Sequence, residues 1–302
     1  METVDILIIG SGPAGLSAAI YGIRGNAKVL VVEKEYLGTG QIAASECVDN
    51  YLGMEGISGY DMGESFRSHA EKMGVPFCEG EVVSIVKQQD QFLLTLASES
   101  RQQIMAKTVI YAAGAAHRHL GLPEEEKWEG KGISYCAVCD GAFYKGKSVV
   151  VVGGGDTALD DAWYLSGICE KVYLVHRREQ FRGSQKTVLQ LQEKENVELI
   201  TCAQLKGIQG EKNITGVTLE DGRVLEVSGV FVAIGMVPQT KLIEPLVELE
   251  DGYIKADETG KTSLPGFFAA GDVRTKVLRQ VVTAVSDGAN AAVSALSYLA
   301  EQ

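Results

Sequence analysis

Two stretches of this chain repeat one pattern, and that repetition limits the folds open to it more than any other feature. Residues 4–10, Val-Asp-Ile-Leu-Ile-Ile-Gly, form a short apolar run, which predicts a strand buried on both faces of a parallel sheet. Gly10, Gly12 and Gly15 follow as G-x-G-x-x-G around Pro13 and Ala14, Leu16–Ile23 reads as helix, and a second strand, Lys28–Val32, ends at Glu33. The pattern restarts at Ser148–Val152. There Gly153, Gly155 and Ala158 give G-x-G-x-x-A around Asp156 and Thr157, residues 157–166 read as helix, and Lys171–Val175 as strand. A strand, a glycine turn, a helix and a second strand within about 30 residues make the unit that holds a dinucleotide pyrophosphate at a helix N-terminus.

Each copy also closes alike. Thr108–Ala112 is an apolar strand running into Ala113-Gly114, and Gly229–Ala233 runs into Ile234-Gly235. The chain therefore carries an internal duplication. Between the copies lie the turn Gly38-Thr39-Gly40-Gln41, an amphipathic helix over residues 61–73, and strands near 81–87 and 91–96. After Pro238 there remain about sixty residues, few for an independent domain. They hold a strand, Gly266–Ala270, followed by Gly271-Asp272, and a helix over residues 279–300. This tail is expected to complete the first copy. The fold class is then α/β, with two Rossmann-like domains, the second inserted into the first through crossings near 114–118 and 238–245. The expected boundaries are 1–115 with 245–302 for the first domain and 116–244 for the second.

The copies differ after their second strands. The first offers Glu33, a carboxylate suited to a ribose hydroxyl pair. The second offers His176, Arg177 and Arg178, with Arg182 close behind. Arginines suit a 2′-phosphate, and charge-assisted hydrogen bonds contribute about 1.5–3 kcal/mol each before desolvation is subtracted. The plainer alternative is a solvated basic strand end.

Formal net charge is −12 over 302 residues, which disfavours a nucleic-acid partner. No apolar run nears the roughly 18 residues of a membrane span, and the N-terminus lacks the basic region of a signal peptide. A cytoplasmic protein is expected. Of the six cysteines only Cys136 and Cys139 are closely spaced. Cys47, Cys78, Cys169 and Cys202 are expected to be buried thiols.

The run Cys136-Ala137-Val138-Cys139-Asp140 has three readings. Zinc needs two further ligands, and His69, His117, His119 and His176 supply no neighbouring pair. A structural disulfide across two residues gains little in a reducing compartment. A thioredoxin-type redox pair is the third, and its place just ahead of the second nucleotide strand favours it. Asp140 would protonate a thiolate or cap the following turn.

Taken together, Gly10-Ser11-Gly12-Pro13-Ala14-Gly15, Cys136–Gly141, Gly153-Gly154-Gly155-Asp156, His176-Arg177-Arg178, Ala270-Gly271-Asp272-Val273-Arg274 and Arg279-Gln280-Val281-Val282-Thr283-Ala284 span nearly the whole chain. In this order they resemble the bacterial-type, low-molecular-weight thioredoxin reductases. The resemblance implies FAD in the first domain, with Glu33 on its ribose and Asp272 near its ribityl or phosphate region. Gln41, Asn50, Arg279, Gln280 and Val281 would surround the flavin, and Gly114 would close that site. It implies NADPH in the second domain, on the turn with Asp156 and Thr157, the arginines and Gly235. It also implies that Cys139 faces the flavin, that Cys136 attacks a thioredoxin or thioredoxin-like partner, and that the protein is a homodimer whose domains rotate about the two crossings. No metal is expected. Alternatives are a reductase of a glutaredoxin-like redoxin, a ferredoxin- or flavodoxin:NADP reductase-like flavoprotein (which would lack the cysteine pair), and a redox sensor without turnover. Two departures stand out: Thr39 splits a Gly-Gly-Gln that the family commonly carries, and Ala142 precedes Phe143-Tyr144 where many relatives have two aromatics.

Overall fold

A computed structural model describes residues 2–34, 40–45, 47–97, 102–123 and 125–302. The chain divides into two compact units, Met1–Ala116 with Val237–Gln302, and His117–Met236. The second is thus inserted into the first. Gly38 and Thr39 of the expected flavin-side turn lie outside the described residues.

Unit one begins with β1 (Glu2–Ile9), α1 (Pro13–Arg24), β2 (Val29–Glu33), α2 (Gly59–Lys72), β3 (Phe77–Glu79), β4 (Glu81–Gln88), β5 (Gln91–Ala97) and β6 (Gln103–Tyr111). Strand β7 (Ala115–His117) leads out. Unit two holds α3 (Glu125–Trp128), β8 (Ile133–Ser134), α4 (Ala137–Asp140), β9 (Ser148–Gly153), α5 (Asp156–Ser166), β10 (Lys171–Val175) and α6 (Gln185–Gln192). It continues through β11 (Val197–Ile200), β12 (Leu205–Gly210), β13 (Ile214–Leu219), β14 (Val224–Leu225) and β15 (Gly229–Ala233). Strand β16 (Met236–Pro238) leads back to β17 (Leu249–Glu250), β18 (Tyr253–Ile254), β19 (Phe267–Ala269) and α7 (Val281–Ala300). The two crossing strands, β7 and β16, pair with each other.

The parallel strands of unit one run in the order β3-β2-β1-β6-β19. Strand β6 forks. Its first residues pair antiparallel with β5, Ala106 opposite Phe92, while its last pair with β19, Val109 opposite Phe267. Unit two repeats the plan as β11-β10-β9-β15-β8, all parallel, with an antiparallel β12-β13-β14 beside it. The fifth strand differs in origin: β19 follows everything else in unit one, whereas β8 precedes β9 in unit two.

The apolar runs make strands because both faces of each sheet are covered. Along β1, Ile6 and Ile8 face α1, α2 and α7 with Ala18, Ala70 and Ala291, while Leu7 and Ile9 join Phe92, Leu94 and Ile243 on the other face. In unit two Val149 and Val151 pack under α5 and α6, and Val150 and Val152 meet β12 and β13. Helices α1 and α7 cross closely because Gly288 has no side chain; a Cβ there would fall on the carbonyl oxygen of Ala14.

Some expectations need adjusting. Helix α7 begins at Val281, with Gln280 as its N-cap and a reciprocal capping box to Thr283, so Arg279 and Gln280 precede the helix. Not all four remaining cysteines are buried. Cys169 is, Cys47 and Cys78 are half-buried, and Cys202 is exposed. Cys202 sits in a left-handed turn after β11, φ 54°, with its amide donating to Arg178 O, which turns its side chain away from the core.

Candidate active site

The first glycine turn is shaped by close backbone approach. Gly10 has φ 104°, and a Cβ at Gly15 would fall on the carbonyl oxygen of Gly10. Helix α1 starts at Gly12 and Pro13 with no side-chain cap and no acid in its first turn. Its N-terminal amides and dipole suit an anion.

Glu33, at the end of β2, is 4% exposed. Both its carboxylate oxygens accept from Nη1 of Arg67 on α2, at 2.8 and 2.7 Å. Arg67 also donates Nε to Glu71 at 2.8 Å, and its guanidinium lies 3.4 Å from the centre of the Phe77 ring. A carboxylate offers about four lone-pair sites, so this clamp fixes Glu33 without consuming its capacity for a ribose.

Asp272 follows β19 in a short turn beside α1, where a Cβ on Gly271 would come 2.9 Å from Ala14 Cβ. Its Oδ1 is buried without a hydrogen-bond partner among the described residues, and so is Nε of Arg279. Burial pushes the Asp272 carboxyl up, against the pull of Lys276 and Arg279. Two orphaned polar atoms of opposite type suit a bound polar group. The turn itself is locked by Asp287, which accepts from Gly271 N, Arg274 Nε and Nη2, and Lys276 Nζ at 2.7–3.0 Å. Asn50 Nδ2 donates to Gln280 Oε1 at 3.0 Å, joining residues 230 positions apart. Gln41 is exposed on the short helical turn Gly40–Ala44, Val281 opens α7, and Gly114 has φ 69° with open space where a Cβ would stand. Unit one's residues thus fit a dinucleotide.

In unit two a Cβ on Gly153 would meet Ala233 O, and one on Gly154 would fall on the His176 ring, but one on Gly155 would meet nothing within 4 Å. The space before α5 is open where a pyrophosphate needs it. Asp156 turns toward the protein, with Oδ1 accepting Ser184 N at 2.7 Å. Arg182 N donates to Gly154 O, also at 2.7 Å. These bonds fold the loop after β10 onto the glycine turn and leave Arg177, Arg178 and Arg182 exposed, as is Thr157. His176 is buried, stacked on Phe181 and bonded through Nε2 to Gln180 O at 3.1 Å. Burial, then the three arginines, lowers its pKa. Its ring supports the turn from beneath rather than reaching outward with the arginines. Gly235, φ 100°, faces open space.

Cys136 and Cys139 form a disulfide, Cα atoms 5.3 Å apart. Sulfurs bonded to each other are not thiolate ligands, which favours the redox reading of the pair. Cys136 is the N-cap of α4, its Sγ accepting from Cys139 N at 3.2 Å. Gly141 lets α4 pack on α5, since a Cβ there would come 3.0 Å from Tyr164 and Leu165. Val138, between the two cysteines, and Phe143, in the turn after α4, are exposed. Asp140 accepts from Ser134 Oγ at 2.6 Å.

Sequence reasoning missed Arg67, Ser134 and Tyr135. Arg67 left no local signal. Ser134 did: a serine two residues before Cys136 is placed to accept that residue's amide, and it does at 3.1 Å. Tyr135 stacks on His117 at 4.5 Å and donates to Glu129 at 2.8 Å.

Comparison with known proteins agrees with this geometry. The family described as pyridine nucleotide-disulphide oxidoreductase matches residues 4–288. The thioredoxin reductases of Bacillus subtilis and Listeria monocytogenes are each 40% identical, over 98% of this chain and 95% and 94% of theirs. The crystal structure of thioredoxin reductase from Streptococcus pyogenes superposes with a TM-score of 0.93 at 38% identity, covering 99% of both chains. With two dinucleotide folds and a paired-cysteine centre, the chain belongs to the pyridine nucleotide-disulphide oxidoreductase family.

Proposed function

We propose that this chain is an NADPH-dependent reductase of a thioredoxin-like protein, with FAD held by unit one and NADPH by unit two. The observation that carries the reading is the Cys136–Cys139 disulfide on an inserted unit whose own glycine turn opens toward exposed arginines. When bound, the nicotinamide and flavin would supply the electron pair that converts this disulfide to a dithiol.

The chain's own residues do the rest. Gly10–Gly15 and the α1 N-terminus hold the FAD pyrophosphate, Glu33 takes its ribose, and Asp272 and Arg279 satisfy their orphaned atoms on it. Arg177, Arg178 and Arg182 select the 2′-phosphate of NADPH over the hydroxyl of NADH. In the dithiol form, the Cys136 thiolate attacks one sulfur of the partner disulfide and the other leaves as a thiolate, which takes a proton. Cys139 then attacks Cys136 Sγ in the mixed disulfide. That reforms the Cys136–Cys139 bond and releases the second partner thiol. Asp140 donates the proton that a leaving sulfur requires. Exposed Val138 and Phe143 flank the centre as apolar contacts for the partner. The working protein is a cytoplasmic homodimer.

The test is a panel of redoxins offered to the purified yellow protein with NADPH and with NADH. A thioredoxin reduced at least tenfold faster than a glutaredoxin, with NADPH preferred, is the expected outcome. Reduction of a glutaredoxin alone, or equal use of NADH, would overturn the partner or the coenzyme assignment.

A further inference from the structure

We propose that Ser134 is the positioning residue of the disulfide centre: one hydroxyl holds the Asp140 carboxyl and the Cys136 amide in a single arrangement. The inference rests on the reading of Asp140 as the acid of thiol–disulfide exchange.

Ser134 is 5% exposed and lies on β8, with Phe231 of β15 opposite it in the parallel sheet. Its position is therefore set by the core of unit two, not by the loop that follows. Its Oγ–H has two acceptors in reach, Asp140 Oδ2 at 2.6 Å and Cys136 O at 3.3 Å, of which the carboxylate is much the nearer, and the same oxygen accepts from Cys136 N at 3.1 Å. The 2.6 Å separation is that of a hydroxyl donating to a carboxylate. A capping serine would need only the bond from the Cys136 amide. The bond to Asp140 fixes the carboxyl rotamer and engages Oδ2. Because Cys136 and Asp140 hang from one oxygen, the acid keeps its place relative to the sulfurs while the S–S bond opens and closes.

The other titratable groups on elements next to α4 are Asp156, Asp160, Asp161 and Tyr164 of α5, Tyr144 of the turn that follows α4, and Tyr135, Lys145 and Lys147. Asp161 is pushed up to about 7 by burial and by Asp160, so an Asp161→Asn control separates its titration from that of Asp140.

The experiment compares Ser134→Ala, Ser134→Thr, Asp140→Asn and the Ser134→Ala/Asp140→Asn double variant in the FAD-loaded enzyme. It reads kcat and KM for a thioredoxin from pH 5.5 to 9. It also reads the pH dependence of iodoacetamide capture of the dithiothreitol-reduced cysteines. Ser134→Ala is expected to lower kcat roughly tenfold at pH 7, to leave KM within about twofold of wild type, and to change the pH profile of both readouts in the direction that Asp140→Asn does. Ser134→Thr should restore both, and Ser134→Ala should add nothing in the Asp140→Asn background. Multiplying losses in the double variant, or a Ser134→Ala enzyme like wild type while Asp140→Asn is impaired, overturns the role of Ser134 alone. An Asp140→Asn enzyme with wild-type rate and profile overturns the acid reading, and the role of Ser134 with it. If Ser134→Ala does not fold, Ser134→Thr decides: a threonine enzyme as impaired as Asp140→Asn contradicts the proposal.

Discussion

A buried carboxylate needs a partner, and at Glu33 that partner came from far away in the sequence. Its place after the second strand was readable from spacing. Arg67 was not, because it lies 34 residues on, on a helix whose docking only the fold specifies. Removing one member of a buried pair strands the other's charge, at a cost of about 3–5 kcal/mol. Arg67→Met should therefore lower stability by that amount in urea unfolding of the apo-protein, more than Glu33→Gln does. Asp161 runs the other way. Its folded-state pKa, about 7, lies above the ordinary 3.8, so the folded protein binds the proton more tightly. Stability falls as pH rises from 4 through 7, and the penalty is complete by pH 8. Asp161→Asn should stabilise by on the order of 2 kcal/mol at pH 8 and by little at pH 4; a gain equal at both would refute the assignment. His176 has the reverse sign. Its pKa is lowered, so the stability its neutral ring supports is lost as pH falls below about 6.5.

Among elements, the glycine turns show what each position is for. Gly15 and Gly154 are contact points, the first against backbone and the second against the His176 ring, whereas Gly155 borders open space. Gly15→Ala should yield protein that does not retain FAD. Gly155→Ala should retain FAD but raise the KM for NADPH at least tenfold, measured by NADPH oxidation. The long apolar strands and the helices α1, α2, α5 and α7 were legible because each repeats its period several times. Strand β8 was not, since two residues have no period, and α6, eight residues long, was masked by the polar loop before it. The duplication also explains where the redox centre sits. In unit one the turn with Asp272 follows the fifth strand, β19. In unit two the segment following the fifth strand, β8, is Cys136–Asp140. The cysteine pair thus occupies, in the second copy, the place that the Asp272 turn takes in the first.

At the scale of the molecule, insertion makes the two units unequal in autonomy. Residues 117–236 contain all five parallel strands of their sheet and two cores of their own. Residues 1–116 lack β19 and α7, which cover β6 and α1. A fragment of residues 117–236 should fold cooperatively in urea by circular dichroism, while a fragment of residues 1–116 should not. The sequence indicated the tail's destination only through its length, too short to stand alone. Nothing local showed that Phe267–Ala269 would pair with Val109–Tyr111.

The central claim is that electrons leave through Cys136 and Cys139, and the most direct test is an anaerobic NADPH titration of wild type and of Cys139→Ser, followed by oxidised thioredoxin. In both proteins NADPH should bleach the flavin absorbance. Only wild type should then recover it by reducing thioredoxin stoichiometrically, with Cys139→Ser slower by at least a hundredfold. A Cys139→Ser enzyme that reduces thioredoxin at the wild-type rate would contradict the route, as would a wild-type flavin that NADPH leaves oxidised.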